Sequence, residues 1–347
     1  MLDGGLEMSE SSVATGLSKR QRTQLMEAFW AKSPGLLGAF AADHPRHRSV
    51  ALFTGIDLLI RWDRLNSASF LEPLVDPTDR LARRVWSVIV RHADGDATAA
   101  RDLISSPPNY LNDCATLWAA FLGAKTFSAD AGSTATPPQI VQFWDKAVPP
   151  EDVGDAISGW RALANGNHTL FDANSAVAFL RGTYGETEAR LFASCPHPAM
   201  MADYFRLGYL AAEGGLYIDA DMIARPEMQD VYARMGGKMV LWLRTHKPRM
   251  TVSNGVIAAP ANSRLLTEAF NTASRRLADA NQTRSFSGKA GPGLLRMVMA
   301  DLVRRGEMDE FLAMPTRFVW TQVCTTLDAD YKKDARNWTI WQKGQRP

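Results

Sequence analysis

The stretch YFRLGYLAAEGGLYIDAD, residues 204–221, decides how the rest of this chain is read. Its first half has the texture of a helix. Gly214-Gly215 then permits a tight reversal. Leu216-Tyr217-Ile218 is an apolar run suited to a buried strand, and Asp219 and Asp221 follow at once. Alternation points the two carboxylates the same way. They stand at the carboxyl end of a predicted strand, where ligands of open α/β sheets bind. Two such hard oxygen ligands suit Mg²⁺ or Mn²⁺, and Mg²⁺ is usually held by one or two carboxylates together with substrate phosphates. Just upstream, Asp203 and Arg206 share a helix face. A bare D-x-D also fits a helix cap or a solvated turn, so the reading depends on the whole string.

Outward from this stretch, residues 139–347 alternate between strands and helices. Strands are predicted at 139–144, 168–171, 216–218, 239–243, 252–258 and 318–322, and helices at 149–164, 173–181, 200–212, 263–280 and 293–305. Pro149-Pro150 pre-sets a helix entry, and Asp172 is placed to cap the next helix. The alternation predicts an α/β fold with a mostly parallel sheet.

Residues 19–127 read differently. The segments at 19–32, 50–65, 79–92 and 110–122 carry apolar residues at helical spacing, with prolines at their ends. The expectation is an all-helical accessory domain. His44, His47 and His92 lie there without partners at ligand spacing. Asp76 and Asp79 read as charges at a helix start. FSADAGSTATPP ends this region, and a linker is placed at 128–138. The expected organisation is a flexible N-terminus at 1–18, the helical domain at 19–127, the linker, and an α/β domain at 139–347.

The bulk numbers narrow the classes. With 347 residues and 46% hydrophobic content, the chain is long enough for a large core. A formal net charge of +2 gives no basic field for nucleic acid. Cys114, Cys195 and Cys324 are odd in number and far apart, which suits reduced thiols rather than a disulfide framework. The opening residues lack the basic and apolar regions of a signal peptide, and no stretch has the ~20 apolar residues of a membrane span. The expectation is a soluble, cytoplasmic protein without a transmembrane segment.

The full string D-x-x-R-x-x-x-L-x-x-x-GG-x-Y-x-D-x-D, residues 203–221, resembles the DxD-motif sugar transferases. That family includes fungal-type α-mannosyltransferases, capsular polysaccharide transferases and the large glucosylating toxins. Ala202 departs from it, since serine is common there. IVQFWDKAVPPEDV from Ile140 resembles the family's opening strand and Pro-rich turn. SGWRALANGNHTLFDANSA, SNGVIAAP and Gly291-Pro292-Gly293 resemble later elements. NWTIW, residues 337–341, is similar to a degraded form of the family's C-terminal motif, with Asn337 where a histidine is usual.

The resemblance covers about residues 138–342 and implies a GT-A nucleotide-diphospho-sugar transferase fold. It also implies a hexosyltransferase that retains configuration, with a UDP- or GDP-sugar donor, Mn²⁺ or Mg²⁺, and a glycan or protein acceptor. Asp221 would be a direct metal ligand, with Asp219 reaching the metal through water and contacting ribose or sugar; Asn337 would complete the metal set. Asp203 and Arg206 would hold the donor's sugar and phosphates. Trp144 would stack on the base, Tyr217 would shape the nucleotide pocket, Asn254 would contact the transferred sugar, and Thr339 or Trp341 would line the donor. Asp219, Asp221 and Arg206 are the catalytic candidates. Two alternatives stay open. One is a sugar-nucleotide binding protein that has lost turnover. The other is a haloacid-dehalogenase-type phosphatase, disfavoured by Met222-Ile223 after the second aspartate.

Overall fold

The computed structural model describes residues 17–61, 65–95, 108–127, 136–244, 250–279, 285–334, 337, 340–341 and 344. The chain divides into two compact units, Met1–Leu122 with Arg244–Met250, and Gly123–Leu243 with Thr251–Pro347. Among the described residues no helix is long and apolar enough to cross a membrane.

Between residues 17 and 122 every described element is helical. The α-helices are Lys19–Trp30, Pro34–Asp43, Arg48–Arg61, Arg80–Ala93 and Tyr110–Gly123, with 3₁₀ segments at Pro45–His47 and Leu65–Leu74. Their starts follow the sequence. Ser18 and Gln21 form a reciprocal capping box. Asp79 accepts hydrogen bonds from the Leu81 and Ala82 amides, which places it as a cap. Phe53 and Trp118 are fully buried, with ring centroids 5.9 Å apart.

The second unit is built on a seven-stranded sheet, in the order β1-β8-β6-β7-β4-β2-β3. The strands are β1 (Lys125–Thr126), β2 (Ile140–Phe143), β3 (His168–Phe171), β4 (Gly215–Ile218), β6 (Met239–Arg244), β7 (Thr251–Ala259) and β8 (Phe311–Pro315). β5 (Met222–Ala224) and β9 (Cys324–Thr326) form a separate antiparallel pair. β2 runs parallel to both β3 and β4. β7 runs antiparallel to β4, pairing Ile218 with Val256. This mixed, parallel-rich α/β sheet with flanking helices matches the coarse expectation. β1 departs from it, because it falls inside the stretch expected to be helical. Two residues are too few to show alternation, and their partner β8 is remote in sequence. Residues 128–135 of the expected linker lie outside the described residues.

A second expectation is overturned. The predicted strand at 318–322 is helical, with Thr316–Phe318 running into a π-turn at Val319–Val323. The late strands flank it as β8 and β9. Apolar runs of four or five residues do not separate strand from buried helix by periodicity alone. Val319 and Val323, four apart, are both fully buried, which is the spacing of one helix face.

Two links hold the part of the sheet that matters here. The Glu151–Ala164 helix is tied to β5 by Trp160, whose buried Nε1 donates to the Met222 carbonyl at 2.7 Å. The Pro198–Glu213 helix is buried on nearly every side and leads directly into β4. Pro198 stands in its first turn and His197 caps it, Nδ1 accepting from the Ala199 amide at 3.1 Å.

Candidate active site

The helix-to-strand junction needs its two glycines. Gly214 has φ +67°, and a Cβ there would lie 2.5 Å from the Ala261 nitrogen. Gly215 has φ +106°, and its Cβ would lie 2.7 Å from the Gln139 carbonyl oxygen. The reversal lays β4 back alongside the helix, so Asp203 and Arg206, from its first half and middle, lie near the strand's carboxyl end.

Arg206 is the hub, only 4% exposed. Nη2 meets Asp203 Oδ1 at 3.1 Å and Nη1 meets Asp219 Oδ1 at 3.0 Å. Nε donates to the Ala202 carbonyl at 3.1 Å, and Nη1 also donates to the Asn254 carbonyl. The guanidinium lies over the Tyr217 ring, 4.4 Å from its centroid, a cation–π contact. A planar fork with five donors suits this many acceptors, where a lysine would not. Burial works against its charge, but Asp219, Tyr217 and Asp203 together hold it protonated above its ordinary value.

Asp203 is closed off on both sides. Its Oδ1 accepts from Asn254 Nδ2 at 2.6 Å. A Cβ on Gly291 would lie 2.6 Å from its Oδ2, so only glycine fits there. Burial pushes the Asp203 carboxyl up to about 6, against the pull of Arg206. Tyr217 is fully buried beneath the guanidinium, and burial holds its phenol well above the usual range.

Asp219 continues the β4–β7 ladder, its amide donating to the Gly255 carbonyl at 3.0 Å. A Cβ on Gly255 would reach within 2.6 Å of Asp219 Oδ2 and 2.8 Å of Met222 Cε. From below, His168 Nε2 donates to Gln142 Oε1 at 2.8 Å, and the Gln142 amide points to the Asp219 carbonyl at 3.5 Å. Burial, then Arg161, pushes His168 down to about 4, so it is neutral in this role.

Asp221 has other partners. Tyr331 donates its hydroxyl to Oδ2 at 2.7 Å, and Lys332 Nζ lies 2.5 Å from the same oxygen. Both come from the Asp330–Lys333 turn after β9. Trp144 sits at the carboxyl end of β2 with its indole edge-on to Tyr331, centroids 5.3 Å apart. Asn337 donates from Nδ2 to the Lys332 carbonyl at 3.0 Å. Trp341 packs on His197, with ring centroids 5.2 Å apart, beside Cys195 and Met200. Thr339 lies outside the described residues.

Asp203, Arg206, Tyr217, Asp219 and Asn254 thus form one connected cluster. Trp144, Asp221 and Asn337 connect through the Tyr331–Lys332 turn, while Trp341 lies at the start of the Pro198–Glu213 helix. The sequence reading did not find Tyr331, Lys332, Gln142, His168 or Gly255. Lys332 had a signal, in that DYKKD places an aromatic and a basic residue just after the last strand.

The donor set can be tested against a metal. Among the described residues no group of three or more His, Cys, Asp or Glu could hold an ion. Two hard carboxylates with open valences for phosphate oxygens fit Mg²⁺ or Mn²⁺ held jointly with a substrate, and do not fit a closed protein cage. The nearby thiols are inert, because burial pushes both Cys195 and Cys324 up to about 12.

No curated protein sequence matches this chain. A solved structure described as "PaToxG Glycosyltransferase" is 14% identical, with a TM-score of 0.34, and the match covers 60% of this chain and 88% of that one. Residues 150–236, which supply Asp203, Arg206, Tyr217, Asp219 and Asp221, match the family described as the glycosyltransferase sugar-binding region containing the DXD motif, and in this stretch the chain resembles the DXD-motif sugar transferases.

Proposed function

We propose that this chain is a metal-dependent glycosyltransferase of the GT-A type. It moves a hexosyl group from a UDP- or GDP-sugar to a glycan or protein acceptor, with retention of configuration. The observation that carries the reading is the buried Arg206 pinned between Asp203 and Asp219 at the carboxyl end of β4. The second carboxylate of the D-x-D stands two residues on. In this reading the helices up to Leu122 are an accessory region, and residues 139–347 hold the transferase machinery.

The roles follow from the chemistry of each group. Asp221 and Asp219, with Asn337 nearby on the Lys332 turn, would hold Mn²⁺ or Mg²⁺. Such an ion, when bound, neutralises charge on a leaving diphosphate. Arg206 orients the Asp219 carboxylate. Asp203, enclosed by Arg206, Asn254 and Gly291, would act on the donor by fixing those neighbours, and Asn254 would contact the transferred sugar. Trp144, packed on Tyr331, would offer an aromatic face to the base, and Trp341 would line the donor.

In the transfer step the bond from the anomeric carbon to the phosphate oxygen breaks. The acceptor oxygen bonds to that carbon on the same face, and its proton passes to the departing diphosphate. No separate protein base is required for this balance.

A thermal-shift screen of UDP- and GDP-sugars, with and without Mn²⁺, tests the reading. A ligand at a hundredfold excess over its Kd stabilises the folded chain by ~2.7 kcal/mol. The expected result is a rise in Tm with one donor class that needs Mn²⁺. No shift with any nucleotide sugar would remove the proposal. A Mn²⁺-dependent shift without donor hydrolysis would assign a binding protein instead.

A further inference from the structure

Asp221 already carries a cation supplied by the chain. Its Oδ2 takes the Lys332 ammonium at 2.5 Å and the Tyr331 hydroxyl at 2.7 Å. The ammonium is also held from a second direction, donating to the Leu327 carbonyl at 2.7 Å. The Leu327 amide in turn donates to the Asp221 carbonyl at 2.9 Å. Lys332 and Asp221 are thus joined directly through their side chains and indirectly through the Leu327 backbone. The turn is fixed further by Asn337 on the Lys332 carbonyl and by Tyr331 against Trp144. Three carboxylates, Asp203, Asp219 and Asp221, meet two cations of the chain, Arg206 and Lys332. Arg206 is buried and committed, whereas the Lys332 side chain is 22% exposed and can leave.

We infer that the Lys332 ammonium is the resident counter-charge of Asp221, and that a divalent cation reaches this carboxylate only by displacing it. The inference rests on the metal-dependent reading above. A divalent ion bonded to Asp221 Oδ2 and an ammonium 2.5 Å from the same oxygen would be two cations within a few ångströms. Their mutual repulsion at that distance is large in any medium less polar than bulk water. The two states therefore exclude each other, and the lysine sets the cation concentration at which the site loads. Its flexible stem leaves it free to move aside, as a buried arginine could not. Lys332 is accordingly a positioning residue that governs loading.

The test is Mn²⁺ binding to the full-length, donor-free protein, followed by loss of the free-ion signal in electron paramagnetic resonance. Lys332→Met should bind Mn²⁺ at least about tenfold more tightly than the wild type. Lys332→Gln, which keeps polarity without charge, should move the same way and serves if the Met variant does not fold. Lys332→Arg should stay within about threefold of wild type, because the charge is retained. Adding Asp221→Asn to Lys332→Met should abolish the gain. Unchanged or weaker binding in Lys332→Met and Lys332→Gln overturns the inference. If Asp221→Asn alone loses Mn²⁺ while the Lys332 variants do not move, displacement fails and the metal reading stands. If no variant takes up Mn²⁺, both fail.

Discussion

Arg206 answers to four acceptors and an aromatic face, and it has almost no contact with water. Removing one partner of a buried, hydrogen-bonded charge pair leaves the other uncompensated, at a cost of about 3–5 kcal/mol. Arg206→Met should therefore lower unfolding stability by about 3 kcal/mol or more, measured by urea titration. A loss under about 1 kcal/mol would mean that Asp203 and Asp219 have other support.

Asp203 gives a pH signature of opposite sign to the usual carboxylate. Its folded value, about 6, lies above the ordinary value of 3.8, so between these values the folded state binds more protons than the unfolded one. Stability from this group is then present at low pH and lost as pH rises toward 6. Relative to Asp203→Asn, the wild type should lose stability between about pH 4 and pH 6, by at most about 3 kcal/mol at ~1.4 kcal/mol per pKa unit. Parallel pH–stability curves for the two proteins would show that Asp203 ionises as freely folded as unfolded. This part of the site was legible in sequence because Asp203, Arg206, Tyr217 and Asp219 lie within a single turn-and-strand string. Lys332 and Gln142 were not, because their role depends on tertiary pairing across 77 to 111 positions (142 to 219, 221 to 332) that no local pattern records.

The element that sets the geometry is the reversal from the Pro198–Glu213 helix into β4. Its glycines are required for different reasons. Gly214 combines a positive φ with backbone atoms at 2.5–2.8 Å from any added Cβ. Gly214→Ala should cost about 2 kcal/mol or more, since both strain and overpacking apply; a neutral result would mean that the junction can relax. Gly255 has ordinary backbone conformation but no room. Gly255→Ala should press on Asp219 Oδ2 and Met222, weakening Mn²⁺-dependent donor binding at least about tenfold with a loss of about 1–3 kcal/mol in stability. Unchanged donor affinity would show that Asp219 accommodates the methyl group.

Helix starts were readable at Asp79 and Asp172, which cap through their own side chains, whereas Ser18, in the stretch expected to be a flexible N-terminus, caps the first helix. The 318–322 segment was not, because five apolar-rich residues fit either period. What decides is their position after Pro315 and the burial of Val319 and Val323. β1 was hidden for a simpler reason, since only its parallel pairing with β8 makes two residues a strand.

Among the described residues, the charged cluster proposed as the site lies in the second unit, at the carboxyl end of β4 and on the elements that bracket it. Two carboxylates two residues apart are weak evidence for function. Arg206 and Lys332, each clamped to one of them, turn the pair into a charged site with a defined cation logic. The family match over residues 150–236 covers the Arg206 side of that site, while Asn254, Tyr331, Lys332 and Asn337 come from beyond it. The near-neutral net charge of +2 supplies no general field for steering, so under the proposed function recognition would rest on these local groups. Trp144→Ala should accordingly weaken donor binding more than it slows turnover, read as a rise in KM with kcat little changed. An equal loss in kcat/KM and kcat would place the indole in the chemical step instead.

The most direct measurement is release of nucleoside diphosphate from UDP- and GDP-sugars by the full-length chain, with Mn²⁺ and with chelator, for wild type and for the Asp219→Asn/Asp221→Asn double variant. The wild type should turn over one donor class only when Mn²⁺ is present. The double variant should lose at least about a hundredfold in rate while its unfolding transition stays cooperative. Full turnover by the double variant, or equal wild-type turnover in chelator, would contradict a metal-dependent sugar transferase built on Asp219 and Asp221.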